Sequence, residues 1–172
     1  MTNKFQDFHM PRYDEIPDID LYMDQLLAYI DKILSPFFEH SNEKILTTSM
    51  VNNYVKQGVL PPTVKKRYSR QHVILLIEIC LAKQLYSIQE IGKLLAVQNA
   101  IFDIKTSYNY ICIELENALK STFANEPLSK DSGSSNKMAR LLVRNTVIAF
   151  AHKLHTQLLC NELYKENVEE NA

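Results

Sequence analysis

The sequence predicts an all-α protein built as one helical body. Three observations carry that reading. Glycine and proline are scarce, three and six in 172 residues, and they punctuate element ends. Long stretches place apolar residues three and four apart, the period of a helix with one buried face. The 46% apolar content, over this length, is enough for a core that needs no staples.

The elements follow in order. Residues 1–17, with Pro11 and Pro17, read as an extended arm. Asp18 is the expected N-cap of a helix whose apolar face is Ile19, Met23, Leu26, Leu27, Ile30 and Ile33/Leu34. Pro36 weakens its continuation, and HSNEK (40–44) is a polar connection. A short helix should start at Thr47 or Thr48 and stop at Gly58, with Val51, Tyr54 and Val55 inward and Ser49, Asn52, Asn53 and Lys56 outward. VLPP followed by TVKKRY leaves room for two very short strands joined by a tight basic turn.

Ser69 then caps a strongly apolar helix over 70–84. Ser87 and Glu90 have capping-box spacing at the start of SIQEIGKLLAV, because each can satisfy the other's backbone amide. Gly92 inside that helix costs stability relative to Ala and suggests close packing. Residues 99–124 form a longer helix in which Ile101, Ile104, Tyr108, Ile111, Leu115, Ala118 and Thr122 recur at 3-4-3-4 spacing, a coiled-coil seam. Ser-rich 129–136 reads as a flexible loop. The last helix, 136–167, is apolar nearly all round at 145–159 and is expected to be central and buried; VEENA (168–172) should fray. The organisation is therefore an arm (1–17), a compact module (18–97) and a helical dimerisation or sensing region (98–172).

Charge is distributed unevenly along this frame. Between Glu43 and Glu78 there is no acidic residue, yet the stretch holds Lys44, Lys56, Lys65, Lys66, Arg67 and Arg70. Residues 1–43 carry three Lys/Arg against nine Asp/Glu, so a net charge of −1 hides a basic module in an acidic protein. Cys80, Cys112 and Cys160 are odd in number, widely spaced and set in apolar patterns, as reduced buried thiols of a cytoplasmic protein would be. The start of the chain lacks a signal-peptide pattern, and the apolar runs are too short to span a bilayer, so no membrane partner is expected.

Between Leu46 and Val97 the chain resembles the MerR-like winged helix-turn-helix. The matching parts are NNYVKQGVLPP (52–62), KKRYS (65–69), the helix to Gln84, LYSIQEI (85–91) and GKLL (92–95). The longer string LTTSMVNNYVKQGVLPPTVKKRYSRQHVILLIEICLAKQLYSI more closely resembles an uncharacterised bacterial family, domain of unknown function 1836 (YkrK-like). The winged-helix resemblance implies a minimal two-strand wing within the helical bundle. It places a phosphate-holding wing residue at Lys66, the closing tyrosine of the wing at Tyr68 and a recognition-helix tyrosine at Tyr54. Ser49 and Asn52 stand where that family usually has arginines, and Asn53 where it has a tyrosine.

The chemistry suits double-stranded DNA. Lys65, Lys66, Arg67 and Arg70 would hold phosphates, Asn52 and Asn53 could read adenine, and Ser49 could meet a base or a phosphate, with Lys56 and Tyr54 alongside. The resemblance also implies a homodimer through Ile101, Ile104, Tyr108, Ile111 and Leu115; the other reading of that seam is packing on the chain's own last helix. No catalytic motif, metal site or cofactor is expected. Glu114 and Glu116 point to different faces, and His152, His155 and Cys160 lack a fourth ligand. His72 reads as a helix-start contact. Tyr108, Tyr110, Phe123 and Phe150 are candidates for lining a small-molecule effector pocket. The expected function is a non-enzymatic, DNA-binding transcriptional regulator; the alternative is a protein-interaction adaptor whose winged helix no longer binds DNA.

Overall fold

The computed structural model describes residues 3–39, 41 and 43–169. Six α-helices form among them: α1 (Met23–Phe38), α2 (Thr48–Lys56), α3 (Arg70–Ala82), α4 (Ile88–Ile101), α5 (Ile104–Ala124) and α6 (Lys137–Tyr164). Short 3-10 turns at Asn3–Phe5 and Tyr13–Glu15 precede them. The fraying expected at VEENA falls mostly outside the described residues.

The helix at the centre is α3. Every residue from Val73 to Leu81 is buried, so a helix apolar on all sides is surrounded on all sides. The last helix does not take that place. α6 packs chiefly along α5 and buries one stripe, with Val147, Phe150, Ala151 and Leu154 at its heart, while His152 and Thr156 face outward. A helix with a single extensive neighbour needs only one apolar stripe, whatever its composition elsewhere.

The 99–124 helix is broken. Phe102 is extended, and Asp103 accepts from the Thr106 amide at 2.9 Å, which starts α5 afresh as an N-cap. Ile101 is thus left at the end of α4, 39% exposed and out of the seam. Tyr108, Leu115 and Ala118 are buried within the chain, and Ile104 and Ile111 pack on the same core. Within the chain, these α5 side chains pack against α6 and the N-terminal arm.

That arm is the main departure from expectation. Phe5, Met10 and Ile16 are each about as buried as any core residue. The Phe5 ring stacks on Phe37 at 5.7 Å and meets Phe123 at 4.7 Å. Arg12 forks onto both oxygens of Glu116 at 2.6 Å, the Met10 amide donates to Glu116 at 2.8 Å, and the Tyr13 amide donates to Asn109 at 2.8 Å. One apolar core therefore runs from Phe5 to Leu154 through all three predicted segments.

α1 begins at Met23 rather than after Asp18. Leu21 and Tyr68 exchange reciprocal backbone hydrogen bonds of 2.9 Å, which hold residue 21 extended and leave Ile19 68% exposed. Pro36 lies in the last turn, and the helix continues past it to Phe38. The 129–136 loop is tied down. Glu114 accepts from the Ser132 amide (3.0 Å) and from Arg144 (2.7 Å), and Asp131 accepts from Tyr110 and Arg140, each at 2.9 Å. Gly92 is not forced by crowding, since a Cβ there would meet only Val59 Cγ2, at an ordinary 3.7 Å.

Candidate nucleic-acid interface

α2 is set by its ends. Thr47 Oγ1 accepts from the Met50 amide at 3.2 Å, and Gly58 adopts φ +71° just past the C-terminus. The Val59 and Leu60 amides then donate to the Tyr54 carbonyl at 3.0 and 3.1 Å. Val51 and Tyr54 are buried, as are Leu46 and Leu60 on either side. These anchors present Ser49, Asn52, Asn53 and Lys56 to solvent, as the sequence predicted. Asn53 Oδ1 already accepts from Gln57 at 3.1 Å, so its carbonyl is partly committed.

Tyr54 does not reach that face. Its ring is 2% exposed, Lys83 lies over it at 5.7 Å, and its buried hydroxyl has no partner among the described residues. Burial pushes its pKa up, as desolvation of a phenolate must. Tyr68 is likewise buried, edge-on to His72 at 5.7 Å. Both tyrosines are core residues that hold the module together, and neither can touch a ligand from outside. For Tyr54, its apolar spacing with Val51 was the better guide than the resemblance.

No strand forms among the described residues, so the two-strand wing is absent. Between Pro62 and Ser69 the chain is too short for two strands; Tyr68 pairs with Leu21 instead. What remains is a single tight turn. The Arg67 amide donates to the Val64 carbonyl at 3.0 Å, and Lys65 and Lys66 at its tip have φ of 50° and 57°. Positive φ at both central residues is the pattern of a type I′ turn, a conformation that favours Asn and Gly. Here two lysines occupy it, at about 1–2 kcal/mol each by the usual left-handed penalty.

The cations divide into two groups. Arg67 lies over the Tyr22 ring at 4.6 Å and donates to its hydroxyl at 2.7 Å. Arg70 lies over Tyr13, donates to the Ile16 carbonyl at 3.1 Å and sits 3.5 Å from Asp18. Arg67 fastens the turn to Tyr22 just ahead of α1, and Arg70 fastens α3 to the arm. The acid-free stretch of sequence thus acquires an acidic neighbour in space. Lys44, Lys56, Lys65 and Lys66 are exposed and form no ion pair among the described residues. His72 caps α3 by accepting from the Ser69 amide at 3.2 Å, in the place a Glu usually takes.

Tyr22 was missed by sequence reasoning; its signal was an aromatic within two residues of the strand-like pairing at Leu21. Glu114 and Glu116, set aside as an acid–base pair, are structural: one holds Arg144 and the loop, the other Arg12 and the arm. His155 packs on Phe123 at 4.8 Å, and His152 and Cys160 are exposed. No helix among the described residues is long and apolar enough to cross a membrane.

The family described as a domain of unknown function (DUF1836) matches residues 11–112, a span that crosses the predicted boundaries at 17 and 97. It covers more than half of the chain, and the chain belongs to that family. Neither a curated protein nor a solved structure matches it.

Proposed function

We propose that this DUF1836 family member is a DNA-binding regulator that docks double-stranded DNA with α2 and the basic turn. The observation that carries the reading is the turn tip. Lys65 and Lys66 hold left-handed conformations that two other residue types would adopt more readily, and both are exposed and form no ion pair among the described residues. Strain retained at an exposed, charged position points to a use for the charge. The MerR-like resemblance of residues 46–97 supports the same assignment, with a tight turn in place of a wing.

The roles follow from exposure. Lys44, Lys56, Lys65 and Lys66 hold phosphates, and Ser49, Asn52 and Asn53 meet base edges. Arg67 and Arg70 position the turn rather than the DNA. Four phosphate contacts per chain correspond to a log–log salt slope of about −3.6.

The test is fluorescence anisotropy with random-pool and selected duplexes over a range of salt. Combining Lys65→Asn with Lys66→Gly preserves the turn geometry and removes two charges. It should weaken binding to all sequences and make the slope less steep by about 2, whereas Asn52→Ala should relax sequence preference. Absence of binding by the native chain at low salt would refute the reading and leave the lysines as a docking surface for an acidic protein.

A further inference from the structure

α3, α4, α5 and α6 enclose a cavity of about 400 Å³, within the range of small-molecule sites. Its walls are mainly apolar, with Leu81, Ile91, Leu95, Ile111, Val147 and Phe150 among them. Of the aromatic residues suggested by sequence, Tyr110 and Phe150 reach it, while Tyr108 and Phe123 pack elsewhere. Residues 132–135 of the tied loop form part of the rim.

One wall residue does not belong to an apolar lining. Glu78, on the central helix, is 7% exposed. Gln98 Nε2 donates to its two oxygens at 3.1 and 3.2 Å and lies 3.2 Å from Ser107 Oγ. No Lys, Arg or His forms an ion pair with Glu78 among the described residues. Arg140, which also borders the cavity, is taken by Asp131 and by the Ser135 carbonyl. A buried carboxylate normally has a cation or several donors, because desolvating a charge is costly. Here it has one amide and an open volume beside it. The carboxyl is pushed up to about 7 by that burial, against the lowering effect of Gln98.

We propose that this cavity binds a small apolar amine, its hydrocarbon part against α3–α6 and its ammonium group on Glu78. The ligand supplies the missing countercharge, and the pocket excludes carboxylates of the same shape by like-charge repulsion. The loop held by Asp131 with Tyr110 and Arg140, and by Glu114 with Arg144, forms part of the rim. The inference stands whether or not the chain binds DNA.

The test is titration calorimetry of the full chain at pH 7.5 with n-octylammonium, n-octanol and octanoate. Octylammonium should bind, octanol at least tenfold more weakly, and octanoate not at all. Glu78→Gln should reduce octylammonium affinity at least tenfold and leave octanol unchanged. Ala82→Leu, one helical turn from Glu78, narrows the cavity while keeping the carboxyl and should weaken both. Equal binding of octylammonium and octanoate, an unaltered amine affinity in Glu78→Gln, or no binding of octylammonium to the native chain would each overturn the proposal.

Discussion

Glu78→Gln is predicted to convert a pH-dependent stability into a flatter one. The carboxyl, with an ordinary pKa of 4.5, is pushed up to about 7 in the folded chain. Folding therefore keeps a proton on Glu78 that the unfolded chain has lost. Between those two values the folded state binds more protons, so stability falls as pH rises through the window. The shift corresponds to a penalty of about 3 kcal/mol, complete above pH 7 and absent below 4.5. Gln keeps the shape and a hydrogen-bonding partner for Gln98 but does not titrate. Tyr108 and Cys112, which share these surroundings, are pushed up as well, Cys112 to about 12, and stay neutral throughout. The assay is urea unfolding followed by circular dichroism from pH 5 to 8, native chain against variant. The variant should gain about 3 kcal/mol on the native chain between the ends of the full window, most of it below pH 7. By melting temperature the gain is about 6–12 °C for a chain of this size. A difference that stays constant with pH would refute the reasoning, as would a native chain that gains on the variant as pH rises.

Four further changes probe the frame. Gly58→Ala, at φ +71° but in open space, should cost about 1 kcal/mol in urea unfolding, all of it backbone conformation. Gly92→Ala should stabilise by up to about 1 kcal/mol, because helix propensity improves and Val59 stands at contact distance; a loss would show that α4 packs more tightly than 3.7 Å implies. Lys66→Gly should raise stability by about 1 kcal/mol by relieving the left-handed turn, which separates the cost of the tip from its charge. Glu116→Ala should cost about 2 kcal/mol and expose the arm to limited proteolysis, since it leaves the Arg12 fork and the Met10 amide without their acceptor.

What could be read from the chain was what depends on neighbours in sequence. Ser87 and Glu90 form the predicted box, with the Ser87 amide donating to Glu90 at 2.8 Å, and Gly58 stops α2 as its position implied. The outward set on α2 followed from helical spacing alone. Errors arose where a distant residue decided. α1 could not start at Asp18 because Tyr68 holds Leu21 extended. The seam over 101–122 looked continuous because apolar spacing outweighed Asp103, whose side chain was free to cap a new helix. The arm has no period to read, and Phe37, Phe123, Asn109 and Glu116, brought together by the fold, show where it goes. Glu78 was invisible for the same reason: an acid within LLIEICLA has no meaning until α4 and α5 close over it.

The seating of the arm sets an order on folding. Arg12 and Glu116 are 104 residues apart, a separation that takes about 5–20 s to synthesise. During that interval Phe5 can meet Phe37 of α1 but not Phe123, and the Met10 amide and Arg12 lack Glu116. Nine acidic residues in positions 1–43 keep this waiting segment strongly negative and so resistant to self-association. The acidic charge that balances the basic module in the finished protein thus also guards the nascent one until α5 supplies Glu116.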